Sequence, residues 1–374
     1  MQKITDANNP TNHRIGLLSS ETTTRGGIQS FMLRIAEVMG GLVNDNLVSS
    51  AICISLNDST DALRQHPAMP TTIDVWGGNR SKLQLIIHAL KIKPTINTLI
   101  VGHLHLVPLA LALKIVGRIN SYYVILHGIE AWHQATYLQR QGLLGADKII
   151  ATTHYTAEEC AELNAIPADH FKIIPLCADE RSITPSVNFK LNGTFKLLCV
   201  ARQSISERNK GFEQLFHALV LLKTSHPNIH LNLIGKGDDQ PRLQEVAHDL
   251  GIADQVTFWG ALPDEDLAAA YGDCDVFTMP SKKEGFGIVF LEAMRLGKPC
   301  IGGNHGGTPE VIEHGKSGFL VDYADISALT ESICTLADDA NLCIKMGKLG
   351  QQLVMTKFSM QVFNSKYSTL VLNQ

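Results

Sequence analysis

Apolar runs of four to eight residues alternate along this chain with longer segments whose apolar residues recur at helical spacing, and the alternation continues from end to end. The runs of the first half are RIGLLSS from 14, SSAICISL from 49, TTIDVWG from 71, TLIVGH from 98, YYVILHG from 122, KIIATT from 148 and FKIIPLC from 171. They are continuously apolar rather than alternating, the pattern of parallel strands buried on both faces. A stretch at 178–194, ADERSITPSVNFKLNGT, breaks the series with Pro and Asn. It restarts with FKLLCVAR from 195, IHLNLIGKG from 229, QVTFWG from 255, CDVFTMPS from 274 and KPCIGGN from 298. Between these runs lie helical segments such as FEQLFHALVLLKT from 212, QPRLQEVAHDLG from 240 and IVFLEAMRLG from 288. The order predicts two α/β domains, each a doubly wound, Rossmann-like parallel sheet: residues 1–180, a linker at 181–194, and residues 195–355. Ligands of such sheets bind beyond the carboxyl ends of the strands, and two facing domains imply a cleft.

Composition narrows the class. With 45% hydrophobic residues spread along 374 positions, the chain is not a disordered polymer. A formal net charge of −4 offers no global attraction to nucleic acid, so none is expected as a partner. Locally the picture changes, because no acidic residue lies between Asp74 and Glu130, while Arg80, Lys82, Lys91, Lys93, Lys114 and Arg118 do. Within RSKLQLIIHALKIK, the face Leu83, Ile86, Ile87 and Leu90 is expected to pack on the sheet. That leaves a second stripe, Leu85, Ala89 and Ile92, beside Lys82, His88 and Lys93, an arrangement suited to an anionic membrane surface. The eight cysteines form no C-x-x-C pair and lie mostly in apolar runs, as buried thiols of a reducing compartment do. MQKITDANNPTNH lacks the apolar core of a signal peptide, and LVPLALALKIVG is too short for a membrane span, so a cytoplasmic location is expected.

Candidate chemistry gathers at strand ends. Gly26 and Gly27 follow the first strand and open a helix, where backbone N–H groups can approach an anion. The pair is neither a P-loop nor a G-x-G-x-x-G fingerprint, and GKGDDQ at Gly235 lacks the third glycine. His103, His105 and His127 end two neighbouring runs. With no carboxylate at companion spacing they read as hydrogen-bonding groups rather than metal ligands, and Gly128 makes His127 the strongest functional candidate. In the second half Arg202 ends a strand and Lys210 precedes a helix, cations whose placement against the helix dipole points to an anionic ligand between them; Arg208 competes for the same role. The most specific segment is SKKEGFGIVFLEAMRLGKPCIGGNHGGTPEVIEHGKSGFLV. Its Glu284 and Glu292 have seven residues between them, and the N–H groups of Phe286, Gly287 and Ile288 lie at a helix start. Carboxylates accept paired hydrogen bonds from vicinal hydroxyls, which suits a sugar and a ribose, with the amides on a phosphate. Asp273 and Asp275 form a D-x-D, but at the start of their strand, away from the ligand end.

The ordered series GGI, VGHLH, HG, VAR…KG, LIGKG, EGFGIVFLEAM and GGTPE resembles the retaining glycosyltransferases of family 4, of GT-B fold, over nearly the whole chain. The resemblance implies that Glu284 binds the donor sugar, Glu292 the ribose, and Arg202 with Lys210 the diphosphate. It brings Gly27 and His127 to the reacting sugar, and Gly235, Phe286, Gly287 and Ile288 to the donor. Ala201 stands where the family's loop has glycine and the loop is longer, so Arg202 and Arg208 both remain candidates. It further implies that residues 356–374 cross back to the first domain. The implied activity is metal-independent hexose transfer, without a cofactor, from a nucleotide-diphosphate sugar. The acceptor would be a glycan or a lipid-diphosphate-linked sugar of cell-surface polysaccharide or glycolipid synthesis, met at the inner face of the membrane. A sugar-nucleotide epimerase and a non-catalytic nucleotide-sugar-binding subunit are the alternatives.

Overall fold

The computed structural model describes residues 13–24, 26–178 and 183–372. They divide into two compact units, one of residues 1–176 with 363–374 and one of residues 177–362. In the first, seven strands form one sheet: β1 Arg14–Ser19, β2 Ser50–Ser55, β3 Asp74–Gly77, β4 Ile96–Val101, β5 Ile119–Leu126, β6 Lys148–Ala151 and β7 Phe171–Ile173. Every pairing is parallel, in the order β3-β2-β1-β4-β5-β6-β7. Ile15, Leu17, Leu99 and Ile100 are fully buried, as their unbroken apolar runs require. The helix Met360–Leu372 belongs to this unit from Phe363 onward, where Phe363 and Tyr367 pack edge-on against Phe31.

The second unit holds six parallel strands: β8 Phe195–Val200, β9 Ile229–Ile234, β10 Val256–Gly260, β11 Val276–Met279, β12 Cys300–Gly303 and β13 Gly318–Val321. Their order is β10-β9-β8-β11-β12-β13. The last of these is not among the runs read as strands. It is four residues long, at the sheet edge, and begins at a glycine whose Cβ would meet the Cys300 carbonyl at 2.0 Å, so close backbone approach rather than apolar length defines it. In each sheet the strand order reverses beside the first strand of the unit, between β1 and β4 and between β8 and β11. Such switch points open a crevice at the carboxyl ends where ligands bind.

The helix Lys82–Lys91 corrects the expected facing. Leu85, Ala89 and Ile92 are buried in the core with Leu104, Leu106 and Val107, whereas Leu83, Ile86, Ile87 and Leu90 are exposed at 68, 42, 42 and 39%. Both stripes are apolar, so periodicity alone does not choose between them. The small Ala89 lets its face approach the neighbouring elements, and His88 beside it stacks on Trp76 at 4.1 Å. All eight cysteines are free thiols, six of them buried. Among the described residues no helix is long and apolar enough to cross a membrane.

Candidate functional site

At the first unit's switch point, the loop after β1 is held from below by Asp58. This buried carboxylate accepts hydrogen bonds from the N–H groups of Thr22 and Thr23 at 2.7 and 3.3 Å, and from the hydroxyls of Thr23 and Ser55 at 2.5 and 2.7 Å. The loop leads through Gly26 into the helix Gly27–Asn44, which has no side-chain cap and no acidic residue in its first turn. Its N–H groups therefore favour an anion. Sequence reasoning passed over Asp58, which stands in a polar stretch, NDST, without a motif.

The three histidines meet at the same edge. His105 N–H and Nδ1 approach His103 Nδ1 at 3.3 and 2.8 Å, and His105 Nε2 lies 3.2 Å from the Ser20 hydroxyl. One proton assignment satisfies all three: Ser20 donates to His105 Nε2, and His105 Nδ1–H donates to His103 Nδ1. Burial, and then the neighbouring His105, depresses the His103 pKa to about 4, so this pair is neutral at physiological pH. His127 ends β5 and sits 6.4 Å from His103, ring to ring, with Phe31 edge-on at 5.4 Å. Its Nε2–H donates to the Gly102 carbonyl at 2.8 Å and its backbone N–H to Glu130 at 2.5 Å. With Nε2 carrying that proton, Nδ1 is the ring nitrogen left for a further contact. Gly128 adopts φ 144°, a conformation open to glycine. Among the described residues no cluster of three or more His, Cys, Asp or Glu is arranged for a metal ion.

In the second unit the switch point brings together Lys210, on the loop after β8, and Glu284, on the loop after β11. Lys210 Nζ donates to Glu284 Oε2 at 2.9 Å, and each side chain is only 15% exposed. Burial alone would lower the lysine pKa, but Glu284, and Glu207 beyond it, hold it above the ordinary value. The ammonium is therefore a permanent charge with two donors beyond the one used. Gly211, at φ 88°, turns the chain from Lys210 into the helix Phe212–Leu222; a Cβ there would meet the Pro280 carbonyl at 2.5 Å.

The two competing arginines differ. Arg202 is 78% exposed and pairs with Glu207 of its own loop. Arg208 donates through Nε and Nη2 to Asp239 Oδ1 at 3.1 and 2.8 Å, and Asp239, 3% exposed, also takes two hydrogen bonds from Arg242 at 2.7–2.8 Å. Hydrogen bonds from Arg242 hold the Asp239 pKa below the carboxylate range against its burial, and Arg208 adds to them. The segment GKGDD is thus a clamp on the 202–210 loop. Gly235, at φ 136°, would place a Cβ 2.0 Å from the Ala201 carbonyl, and Gly237 one 1.9 Å from that of Gln203. The Asp239–Arg242 pairing leaves no trace in the sequence, because the loop it holds lies 31 positions away from Asp239 at Arg208.

Within the Glu-x7-Glu segment, Gly287, in the left-handed region at φ 87°, caps the helix Ile288–Arg295 without a side-chain hydrogen bond. Phe286 is 3% exposed and packs edge-on against Phe358, so only its backbone is available to a ligand. Ile288 is half-buried. Glu292, half-buried in the first turns of the helix, accepts a hydrogen bond from Tyr271 at 2.6 Å. Asp273 and Asp275 lie at the opposite, amino-terminal end of β11. Asp273 binds Lys196 at 3.0 Å and the Leu191 N–H at 2.8 Å, and Asp275 binds the Lys196 N–H at 2.7 Å. A cavity of about 750 Å³, lined by residues including Val187, Phe189 and Asp273, opens at that end too, away from Lys210.

Residues 184–353 match the model of the family described as Glycosyl transferases group 1. Over 237 residues the chain is 30% identical to the GDP-mannose-dependent alpha-(1-6)-phosphatidylinositol monomannoside mannosyltransferase of Mycobacterium tuberculosis, a match covering 59% of this chain and 60% of that protein. It is also 30% identical over 237 residues to the D-inositol 3-phosphate glycosyltransferase of Corynebacterium jeikeium, covering 60% of this chain and 56% of that one. The chain thus spans less than two thirds of the curated relatives it matches. Anabaena HepE, solved in complex with UDP-glucose, aligns over 96% of this chain and 100% of its own with a TM-score of 0.77 at 19% identity. The sucrose-phosphate synthase of Thermosynechococcus elongatus aligns over 96% and 98% with a TM-score of 0.73 at 20% identity. These structures show the fold, two Rossmann-like parallel-sheet domains of the GT-B class.

Proposed function

We propose that this chain is a retaining hexosyltransferase that takes its sugar from a nucleotide diphosphate and passes it to a glycan or lipid-linked acceptor. The Lys210–Glu284 pair carries the reading, because it joins a permanent cation and a carboxylate at a switch point. By their own descriptions, the Mycobacterium tuberculosis mannosyltransferase depends on GDP-mannose and Anabaena HepE is solved with UDP-glucose. In this reading Lys210 and Arg202 hold the diphosphate, Glu284 the donor sugar and Glu292 the ribose. The uncapped Gly287 helix start faces negative charge, and Gly27 and His127 have the contact with the reacting sugar that the resemblance gives them.

Transfer breaks the bond between the anomeric carbon and the β-phosphate oxygen and forms one from that carbon to an acceptor hydroxyl, whose proton passes to the departing phosphate. Charge therefore grows on the diphosphate, and fixed cations stabilise it as it grows. Retention follows the resemblance, with the acceptor entering on the face the phosphate leaves. Purified protein given a panel of nucleotide sugars, with and without acceptor, tests the reading: transfer products support it, isomerised donor indicates an epimerase, and binding without turnover a non-catalytic subunit.

Two further expectations belong here. Positive side chains already meet the leaving group and the D-x-D pair is engaged with Lys196, so transfer is expected to survive EDTA. Loss with chelator, restored by manganese, would count for a metal-dependent route. The acceptor is expected at an anionic membrane, where the exposed stripe Leu83, Ile86, Ile87 and Leu90 lies beside the exposed Lys82 and Lys91. Each basic residue near such a surface contributes about 1 kcal/mol, screened by salt. The chain should sediment with anionic vesicles at low salt, less so after Leu83→Gln with Ile87→Gln or after Lys82→Glu with Lys91→Glu, with donor binding unchanged. No sedimentation of the wild type would favour a soluble acceptor.

A further inference from the structure

Glu292 is fixed by a phenol that no motif includes. Tyr271, near the end of the helix Asp264–Asp273, is 4% exposed, and its hydroxyl donates to Glu292 Oε2 at 2.6 Å, the short distance of a charge-assisted bond. Its ring lies 5.7 Å from Phe277, which packs edge-on against Phe290 at 5.4 Å, so the phenol is anchored in the core. Phe290 belongs to the same helix as Glu292, so Tyr271 meets that helix directly through its hydroxyl and indirectly, by way of Phe277, through its packing. Burial, and then the charge of Glu292, raises the Tyr271 pKa well above 10, which keeps it a donor across the working pH range.

We propose that Tyr271 is a positioning residue for nucleotide recognition: by holding one oxygen of Glu292 from the core side, it sets the rotamer in which the carboxylate meets the ribose hydroxyls. This rests on the reading of Glu292 as the ribose ligand. A purely structural role would run the other way, with Glu292 present only to satisfy a buried hydroxyl, which rarely goes unpaired. The two differ in what removing the hydroxyl does. Tyr271→Phe deletes one oxygen and leaves the ring packing intact, removing the bond by which the phenol orients the glutamate.

The test is calorimetric titration of the full chain with UDP, GDP and ADP, carrying forward whichever binds the wild type most tightly. Tyr271→Phe should weaken that nucleotide about five- to tenfold, a fraction of a charged hydrogen bond. Glu292→Ala should weaken it at least as much, and the double variant no further than Glu292→Ala alone, since both act through one carboxylate. The 2′,3′-dideoxy nucleotide should bind the wild type and Tyr271→Phe equally. Glu292→Gln still offers the phenol an acceptor, so its affinity should fall although Tyr271 remains paired. A Tyr271→Phe variant that melts lower but binds as the wild type does would overturn the proposal, as would losses that add in the double variant. Full affinity in Glu292→Ala would overturn the ribose assignment and the role of Tyr271 with it. A wild type that binds none of the three counts against the transferase reading itself, an outcome distinct from the others.

Discussion

Lys210→Ala is expected to lower the turnover number for sugar transfer by about a hundredfold to a thousandfold, the usual cost of removing one preorganised donor from developing negative charge. The donor KM should move much less, because in the proposed reading Arg202 and the helix start at Gly287 still meet the diphosphate in the ground state. The substitution also strands Glu284, which is 15% exposed and loses its cation at 2.9 Å. Breaking a buried pair costs about 3–5 kcal/mol, and partial access to water brings this down to about 1–3. The two effects separate in Lys210→Ala with Glu284→Gln, where the neutral amide needs no cation. Thermal stability should recover and turnover should not. The pH dependence has a fixed sign. The folded pKa of Lys210 lies above its ordinary value, so the stability it contributes is complete below about pH 10 and is lost only as the pH rises through the folded pKa. A pH–rate limb near neutrality therefore belongs to another group. Turnover within threefold of the wild type in Lys210→Ala would remove the diphosphate assignment.

Much of the fold was readable because burial on both faces leaves a plain trace. Twelve of the thirteen strands coincide with continuous apolar runs, and the parallel pairing follows from helices alternating with them. What failed was choice between chemically equal options. Leu83, Ile86, Ile87 and Leu90 make a wider apolar stripe than Leu85, Ala89 and Ile92, yet the narrower stripe is the buried one. Hydrophobicity ranks faces, whereas packing selects the one that fits, and a small residue such as Ala89 fits where a larger one does not. The site divides in the same way. Lys210, Glu284 and Glu292 were legible as residue types at helix starts and strand ends, but the contact between positions 210 and 284 depends on β8 and β11 being neighbours. Tyr271 and Asp58 carried no signal, because a tyrosine in an alanine-rich helix and an aspartate in a polar loop look like ordinary surface.

The second large effect concerns the two arginines that the sequence left open. Arg208 is bound to a buried aspartate that Arg242 also grips, whereas Arg202 projects from the loop and pairs with Glu207. Arg208 is therefore expected to hold the loop and Arg202 to meet the diphosphate. Asp239→Ala should destabilise the second unit by about 2–4 kcal/mol, since two guanidinium groups lose their shared acceptor while keeping some access to water. Arg208→Ala should lower stability by a smaller part of that and leave the turnover number within a few-fold of wild type at temperatures where the unit is folded. Arg202→Ala should leave the melting temperature unchanged, as expected of a side chain 78% exposed, and lower turnover at least about tenfold. Acid supplies an independent check of the clamp. The folded pKa of Asp239 is depressed, so its contribution is present above the unfolded value near 4 and fades as pH falls through the folded one. The stability gap between wild type and Asp239→Ala should therefore be full at pH 7 and narrow below about pH 4. Urea unfolding at a series of pH values measures the gap directly. If Arg208→Ala abolishes transfer with stability intact, while Arg202→Ala turns over normally, the assignments exchange: Arg208 becomes the diphosphate cation, and Asp239 the residue that aims it.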